Sequence, residues 1–473
     1  MANRYQESAR SRSHYPLFEA ESRLHPLRER YHATVAIDFG TTFSRFAFSL
    51  NSDGNQDIYL KKDWGDAYGH LNCLDTPTCI LLSPEKEFVD FGFEAAEKYA
   101  ALEDGKDQTY YFFDRFKMML HHNEGKLSRE TLLKARNGKY MRALDIFSKS
   151  LEYMKDKALE VIRDRGSRKC TASEVRWVVT VPAIWKPSAK QFMREAAYQA
   201  GLASPDNYSQ LIIALEPEAA ALDCRQHKLR EFVGMITVDE AFVSAKTQYL
   251  VVDNGGGTMD VTAHEIQEDD TIKEIYHATG GDYGGTKVDE EFQDLLDKIF
   301  GKDIMDEFRS SNPSGWLELM NDFEFTRKRA AGGAMNIRIP ESFLDLLRSK
   351  YNRNRDDDGS LLNCIVRSQG EGIKILKSRV LSLGPDIVKR LFKPAIESIV
   401  SHLKALLKKR ELRGVEQLFL VGGFSGCRFL QDRIREEFEH KYKIVIPDDA
   451  QLAVVRGAVM FGQRPDCGRA MPF

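Results

Sequence analysis

The 473-residue chain has few of the features that mark secreted, disulfide-stapled or membrane-spanning proteins. Its seven cysteines are scattered and contain no C-x-x-C pair, which argues against a disulfide framework and a zinc module. No apolar run reaches the roughly 18 residues that cross a bilayer. The first 30 residues are polar, contain several glutamates and lack the apolar segment of a signal peptide. We therefore expect a reduced intracellular protein, cytoplasmic with the nucleus as an open alternative, and no membrane insertion.

An excess of one charge is also missing. Sixty-eight basic residues stand against 71 acidic ones, and the net charge is −3. This near balance gives no electrostatic reason to expect nucleic acid or an acidic membrane surface as the main partner. Hydrophobic residues make up 42% of the chain, which is enough to fill two or more packed lobes at this length.

The two commoner phosphate-binding loops are absent as well. Neither G-x-x-x-x-G-K-[ST] nor G-x-G-x-x-G opens a helix, which counts against a P-loop NTPase and a Rossmann enzyme. In their place are two similar turns, Val-Ala-Ile-Asp-Phe-Gly-Thr-Thr at 35–42 and Tyr-Leu-Val-Val-Asp-Asn-Gly-Gly-Gly-Thr at 249–258. In each, an apolar run ends at an aspartate, Asp38 or Asp253, before a small-residue turn that carries threonine.

This pattern places a carboxylate at the end of a buried strand, beside the exposed backbone N–H groups of a glycine turn. Such N–H groups form a concavity suited to phosphate, and the carboxylate suits the accompanying Mg²⁺. Two turns of this kind indicate a duplicated fold that closes on one polyphosphate. Each turn taken alone is equally compatible with an ordinary hairpin that has a polar tip.

The rest of the chain alternates between strand and helix patterns. An apolar strand at 175–181, a helix from Pro187 to Gly201 and a second strand at 211–215 predict α/β layers. Residues 351–360 are charged, lack apolar periodicity and predict a loop. The predicted organisation is a disordered tail (1–31), a first lobe (32–240, with an inserted subdomain at 60–140), a second lobe (241–463, with an inserted subdomain at 286–384) and a short tail (464–473).

Five motifs follow one another in a recognisable order. They are Asp-Phe-Gly-Thr-Thr at 38–42, Val-Thr-Val-Pro-Ala at 179–183, Glu-Pro-Glu-Ala-Ala-Ala at 216–221, Asp-Asn-Gly-Gly-Gly-Thr-Met-Asp at 253–260 and Leu-Val-Gly-Gly at 420–423. This order resembles the actin-like ATPase domain of the 70-kilodalton heat-shock chaperones over residues 32–462. The segments 112–118 and 215–222 look most like the divergent branch called heat shock 70 kDa protein 12A/12B.

The resemblance implies an α/β fold of the duplicated actin-like, ribonuclease H-like type, with two lobes, each of two subdomains, around a cleft for ATP or ADP and Mg²⁺. It implies that Asp38 and Asp253 hold the metal through water. The catalytic residues that it implies are Lys117, Glu216, Asp253 and Thr258. The nucleotide-binding residues that it implies are Asp38, Gly40, Thr41, Thr42, Gly255, Gly256, Gly257, Thr258, Gly281, Glu324, Arg327, Lys328, Gly422 and Gly423.

Several of these residues have a plainer interpretation beside the functional one. Lys117 resembles the family's lysine near the γ-phosphate, and the alternative is a solvated helix lysine. Glu216 resembles the glutamate between the lobes that orients water or metal, and the alternative is a carboxylate that caps the following helix. Glu324, Arg327 and Lys328 share a helix face, either the family's ribose- and base-binding face or a solvated charged face.

The chain also departs from the family pattern. Arg428 is not in register with the arginine that stacks on the purine, and Asn254 stands where an apolar residue is usual. The segment 225–248 is longer than a standard chaperone connection. Since the chain stops near Phe473, we expect no peptide-binding domain and no peptide-clamping activity from this chain alone.

Three functions compete. The first is a weak Mg²⁺-dependent ATPase whose lobes close on ATP and reopen on ADP. The second is a nucleotide-gated binding or scaffold module that hardly hydrolyses ATP and reports its state to a protein partner or an exchange factor, with 225–248 and 286–370 as candidate contact surfaces. The third is a sugar or acetate kinase, for which the sequence offers no clear acceptor motif.

Overall fold

The computed structural model describes residues 31–51, 57–65, 73–102, 105–122, 127–165, 170–232, 245–268, 271–328, 330, 332–354, 358–367 and 372–463. Its strands are β1 (Ala33–Phe39), β2 (Phe43–Leu50), β3 (Tyr59–Leu60), β4 (Thr76–Pro77), β5 (Cys79–Leu82), β6 (Phe88–Phe91), β7 (Tyr111–Asp114), β8 (Leu132–Lys134), β9 (Tyr140–Arg142), β10 (Val175–Val181), β11 (Leu211–Leu215), β12 (Gln248–Asn254), β13 (Met259–Ile266), β14 (Ile272–Gly281), β15 (Met335–Arg338), β16 (Ile373–Leu376), β17 (Val380–Leu383), β18 (Val415–Val421) and β19 (Lys443–Val445). Its α-helices are α1 (Phe93–Ala100), α2 (Met119–His122), α3 (Ala143–Arg165), α4 (Pro187–Gln199), α5 (Glu216–Phe232), α6 (Thr286–Phe300), α7 (Lys302–Ser311), α8 (Pro313–Lys328), α9 (Glu341–Tyr351), α10 (Asp358–Arg367), α11 (Pro385–Leu406), α12 (Arg428–Phe438) and α13 (Ala453–Gln463).

Two sheets repeat one topology. The first has the order β11-β10-β1-β2-β3, with β4 also paired to β2, and the second has the order β19-β18-β12-β13-β14. In both, the central strand that ends at the aspartate has a parallel neighbour on one side and an antiparallel neighbour on the other. The predicted duplicated α/β fold is therefore confirmed.

The central strands of the first sheet are buried throughout because helices cover both of its faces. All seven residues of β1 and all seven of β10 are buried. Alternate residues of β1 point to opposite faces. Val35 and Ile37 pack in one cluster with Phe147 of α3, whereas Ala36 packs in another cluster with Val455 of α13.

Each sheet carries an inserted unit. We call the described residues of 31–232 lobe I and those of 245–463 lobe II. Lobe I contains the small sheet β6-β5-β7 with α1, and lobe II contains the small sheet β15-β17-β16 with α6 to α10 near it. The two units touch each other, because Leu317 of α8 packs in one apolar cluster with Cys79, Tyr99 and Phe112 of lobe I.

Each lobe ends in a helix that packs against the sheet of the other lobe. Helix α5 follows the last strand of the first sheet, but its Ala220 and Cys224 pack with Val251 of the second sheet. Helix α13 follows the second sheet, but its Ala458 packs against the first sheet. The helices meet where a Cβ atom on Gly457 would lie 1.6 Å from the carbonyl oxygen of Ala219, so only glycine fits there.

The predicted loop at 351–360 is partly wrong. Helix α9 extends through Tyr351, and α10 already begins at Asp358. The reason is tertiary: Arg348 donates to both carboxylate oxygens of Asp358, with Nε–Oδ1 at 2.8 Å and Nη2–Oδ2 at 2.5 Å, and so fixes the start of α10. The predicted tail at 1–31 apart from Tyr31, the predicted tail at 464–473 and residues 233–244 of the segment 225–248 lie outside the described residues.

A membrane-spanning helix is not found in the described part of the chain, since none of its helices combines the necessary length with the necessary apolar character.

Candidate functional site

A cleft of about 360 Å³ lies between the lobes, and both glycine turns line it. All but one of the residues predicted for the nucleotide site line this cleft: Asp38, Gly40, Thr41, Thr42, Lys117, Glu216, Asp253, Gly255, Gly256, Gly257, Thr258, Glu324, Arg327, Lys328, Gly422 and Gly423. The exception is Gly281. Residues from distant parts of the chain therefore converge on one concave surface, as a ligand site requires.

The two turns face each other across this cleft. A Cβ atom on Gly256 would lie 2.3 Å from the hydroxyl oxygen of Thr42, and one on Gly257 would lie 2.8 Å from the hydroxyl oxygen of Thr41. Any side chain at either glycine would collide with the opposite turn. The glycines thus keep backbone N–H groups of one turn close to threonine hydroxyls of the other, which is a suitable arrangement for phosphate oxygens.

Asp38 and Asp253 end the two central strands and reach the cleft from opposite lobes. Asp38 accepts a hydrogen bond from the hydroxyl of Thr180, 3.1 Å away. Asp253 packs against Gly422, whose φ is 84° and where a Cβ atom would lie 2.2 Å from Asp253 Oδ1. Glycine is thus required at 422 both by its φ and by the close carboxylate.

Burial raises the pKa of Asp253 well above its usual range, and the neighbouring carboxylates of Glu216, Asp260 and Asp38 raise it further. Several carboxylates share a small volume here, so a bound cation would relieve their mutual repulsion. Mg²⁺ prefers carboxylate oxygens and retains water in its coordination shell. The donor set of Asp38 and Asp253 therefore fits this ion.

Lys117 and Glu216 form a buried ion pair, with 2.7 Å between Nζ and Oε1. Lys117 is only 3% exposed, and its Nζ lies 5.2 Å from the centre of the Trp185 ring. The alternative of a solvated helix lysine is therefore wrong. Burial, together with Asp38 and Asp260, raises the pKa of Glu216 to about 7 despite the opposing effect of Lys117.

The second turn is tied to lobe I through Asp260. Its Oδ2 accepts from the hydroxyl of Thr258 at 3.1 Å, and its Oδ1 accepts from the backbone N–H of Ile184 at 2.9 Å. Ile184 follows the strand β10, whose end carries the Val-Thr-Val-Pro-Ala motif. This carboxylate therefore joins the loops of the two lobes at the back of the cleft.

Glu324 and Arg327 on α8 are buried, so the alternative of a solvated charged face is wrong for them. Both belong to a charge network around Asp289 of α6, which is fully buried. Arg327 Nε lies 3.0 Å from Asp289 Oδ1. Arg115 of lobe I reaches these lobe II residues, with its Nη2 2.8 Å from Asp289 Oδ2 and 3.2 Å from Glu324 Oε2.

The same network sets the charge of Glu324. Burial raises the pKa of this carboxyl, but Arg115 and Arg327 have the larger combined effect, and the pKa lies below its usual range. Lys328 completes the set, with its Nζ 2.9 Å from the centre of the Phe43 ring. Burial lowers the pKa of Lys328.

Gly281 does not line the cleft, and its role as a nucleotide-binding residue stays a prediction. Gly281 ends β14 and pairs with Met259, and a Cβ atom there would lie 2.7 Å from the ring of Tyr283. Gly285 does line the cleft, and it donates its N–H to the carbonyl oxygen of Gly255 at 3.2 Å. The glycine pair directly before α6 was the available signal for this residue.

Further cleft residues were missed. Among them are Phe43, Arg45, Asp75, Gly426, Cys427, Asp448 and Gln451. The Arg428 side chain is 70% exposed and pairs with Asp432 at 3.9 Å, and Gly426 and Cys427 line the cleft at this point instead. Asn254, the unusual residue in the second turn, donates to the hydroxyl of Ser425 at 2.8 Å and joins β12 to the Gly-Gly turn.

Two sheets of one topology, each with an aspartate and a glycine turn at a shared cleft, define a nucleotide-binding protein of the actin-like ATPase fold. Comparison with known proteins agrees. The model of the family "Hsp70 protein" matches residues 112–342. The chain is 40% identical to heat shock 70 kDa protein 12A of Mus musculus, 39% identical to the same protein of Homo sapiens and 37% identical to heat shock 70 kDa protein 12B of Homo sapiens. Each of these alignments covers 93% of this chain and 70% of the relative.

The chain belongs to the 70-kilodalton heat-shock protein family and, within it, to the divergent 12A/12B branch. It is an ATP-binding protein of that family.

Proposed function

We propose that the chain is a weak Mg²⁺-dependent ATPase that converts ATP to ADP and phosphate. The observation that supports this best is the buried Lys117–Glu216 pair, which lines the same cleft as the two phosphate-suited turns. Phosphoryl transfer needs little covalent chemistry from the protein. It needs positioning and stabilisation of the charge that develops on the phosphoryl oxygens.

Each part of the cleft has a role in this proposal. The N–H groups of Gly256 and Gly257 and the hydroxyls of Thr41 and Thr42 bind the β- and γ-phosphates. Gly255, whose N–H donates to the carbonyl oxygen of Thr258 at 2.8 Å, shapes the turn that presents them. Asp38 and Asp253 hold Mg²⁺, which when bound neutralises charge on the phosphates. Thr258 and Glu324, Arg327 and Lys328 bind the remainder of the nucleotide, with Gly422 and Gly423 beneath the base.

Glu216 and Lys117 act on the reacting groups. A pKa near 7 suits Glu216 to orient the attacking water and to accept its proton. Once Glu216 leaves the ion pair, the Lys117 ammonium is available to a γ-phosphate oxygen. The separation of this pair must precede hydrolysis, which is consistent with a low turnover.

Nucleotide also has to bring the lobes together. Each turn belongs to a different lobe, so one polyphosphate that contacts both turns favours the closed arrangement. The α5–α13 contact at Ala219 and Gly457 is the element about which the lobes would rotate.

The experiment is single-turnover hydrolysis of γ-labelled ATP with Mg²⁺, beside equilibrium binding of ATP on the same preparation. Wild type is compared with Asp253→Asn and with the control Asp432→Asn, whose carboxylate is exposed on α12. Hydrolysis that Asp253→Asn abolishes and Asp432→Asn preserves supports the proposal. Binding without hydrolysis in the wild type contradicts it.

A second candidate is a nucleotide-gated binding module with little hydrolysis. The Lys117–Glu216 pair also favours it, because the two catalytic groups neutralise each other in the nucleotide-free protein. The test is a comparison of captured partners in ATP, in ADP and without nucleotide. Identical partner profiles in the three conditions contradict this candidate.

A further inference from the structure

Arg45 lies at the metal-binding end of the first turn. It is a residue of β2 and stands directly opposite Asp38 in the antiparallel register of β1 and β2. Residues directly opposite each other in such a pair point to the same face of the sheet. Arg45 therefore faces the cleft that it lines, although its residue surface is only 6% exposed.

Three groups surround the guanidinium. Its Nε lies 3.4 Å from Asp38 Oδ2, and its Nη2 lies 3.4 Å from Asp75 Oδ2. Its Nη1 donates to the carbonyl oxygen of Gln451 at 2.6 Å, which belongs to lobe II. The side chain is thus held from both lobes, directly beside the carboxylate that fits Mg²⁺.

One donor of this guanidinium is not used. Arg45 Nε is buried and makes no hydrogen bond of good geometry among the described residues, although it lies at ion-pair distance from Asp38. A buried N–H donor without a partner is costly. The positive charge of the guanidinium, which does not depend on pH, favours phosphate oxygens in the cleft that this residue lines.

We propose that Arg45 is a built-in cation of the phosphate site, which lets the chain bind ATP and ADP with only a weak dependence on divalent metal. If Asp38 and Asp75 had no cation beside them, the negative charge that the nucleotide brings to this position would have to be offset by Mg²⁺. A guanidinium fixed between Asp38 and Asp75 already supplies one positive charge at that position. This inference rests on the nucleotide site proposed above.

The experiment measures the dissociation constants of ATP and ADP by calorimetry, once with Mg²⁺ and once with EDTA. The proteins are wild type, Arg45→Gln, Arg45→Lys and the control Arg129→Gln, whose ion pair with Glu195 lies on the surface of lobe I. For the wild type we expect EDTA to raise the dissociation constant by less than about tenfold, the range of one charged hydrogen bond.

For Arg45→Gln we expect EDTA to raise the dissociation constant by at least about tenfold more than in wild type. Most of the affinity that this substitution removes should be lost in the measurement with EDTA. Arg45→Lys keeps the charge and should fall between the two. Arg129→Gln should match wild type. Thermal unfolding is measured for every variant. If Arg45→Gln does not fold, the effect of EDTA on the dissociation constant is compared between wild type and Arg45→Lys.

Two results overturn the inference. One is a loss of more than about a hundredfold in wild-type affinity when EDTA replaces Mg²⁺. The other is a change of the dissociation constant in the Arg45 variants that is equally large with Mg²⁺ and with EDTA. Both leave the nucleotide site itself standing. A wild type that binds no nucleotide even with Mg²⁺ would instead refute the proposed function.

Discussion

Arg456 of α13 and Asp223 of α5 form a two-pronged ion pair, with Nε–Oδ1 at 2.9 Å and Nη2–Oδ2 at 2.8 Å. Asp223 is fully buried. The pair joins the two helices that each follow one sheet and pack on the other. It lies beside the close contact of Gly457 with Ala219 and therefore fixes how the two lobes are joined.

Replacing Asp223 by asparagine should destabilise the fold strongly. The arginine would keep its buried charge without a carboxylate partner, which costs about 3–5 kcal/mol in the free energy of unfolding. Urea unfolding measures this change. The control is Asp449→Asn, because Asp449 pairs with the same arginine at 3.4 Å but is largely exposed. We expect the control to cost less than about 1 kcal/mol. Equal effects of the two substitutions would contradict the role of the buried pair.

Arg115→Ala should speed the release of nucleotide. Arg115 connects lobe I to Asp289 and Glu324 of lobe II, so its loss removes charged contacts that hold the cleft closed. The loss of charged contacts of this strength corresponds to an increase of about 10- to 100-fold in the rate of nucleotide release. Stopped-flow displacement of a fluorescent ADP analogue measures the release. The control is Arg129→Ala, which removes an exposed ion pair within lobe I and should leave the release rate unchanged. An unchanged release rate in Arg115→Ala would show that its contacts with Asp289 and Glu324 do not hold the cleft closed.

Lys117→Ala should slow hydrolysis by about 10²- to 10³-fold, because a positioned charge beside the transferring group is lost. Binding of ATP should change by only a few-fold, since the backbone of the two turns is preserved. Single-turnover hydrolysis and equilibrium binding separate the two effects. The matched control is Lys157→Ala, whose lysine pairs with Glu160 on the surface of α3. If turnover survives in Lys117→Ala, this lysine has no part in the mechanism.

The free energy of unfolding of the nucleotide-free protein should decrease as the pH rises from 5 to 7. Burial raises the pKa of Glu216 from 4.5 to about 7 and also raises that of Asp253. In this window the folded state binds more protons than the unfolded state, so the free energy of unfolding decreases as pH rises. Urea unfolding as a function of pH measures the slope.

Asp253→Asn should flatten this pH dependence, because asparagine at 253 removes one of the carboxyl groups whose pKa is raised by burial. Asp432→Asn, which changes an exposed carboxylate, should keep the wild-type slope. A wild-type stability that rises from pH 5 to pH 7 would show that other carboxylates, with lowered pKa values, dominate.

Much of the fold was predictable because its signals are local. The apolar strand at 175–181 and the helix from Pro187 agree with β10 and α4, since strand and helix periodicity depends on neighbouring residues alone. The two aspartates at strand ends were predictable for the same reason. Which glycine of 280–285 reaches the cleft was not predictable, because these six residues contain four glycines and only the packing of Gly284 and Gly285 against the second turn distinguishes them.

Charge pairing was the least predictable property. Asp289 looks like an ordinary helix carboxylate, yet arginines from both lobes converge on it and it is fully buried. Arg45 looks like a polar residue in a strand, and only the register of β1 and β2 brings it to Asp38. Such contacts join residues that are distant in the chain or belong to different strands, so no local pattern contains them.

The amino-acid sequence by itself determined the two strand–aspartate–glycine units and their duplication, because each depends on a short stretch of apolar and small residues. The tertiary structure decided which charges meet in the cleft. It buried Lys117 against Glu216 and placed Arg45 beside Asp38. It also packed α5 against the second sheet and α13 against the first. The physical reason is that burial and ion pairing depend on distances across the fold, which are set only when the two lobes pack together.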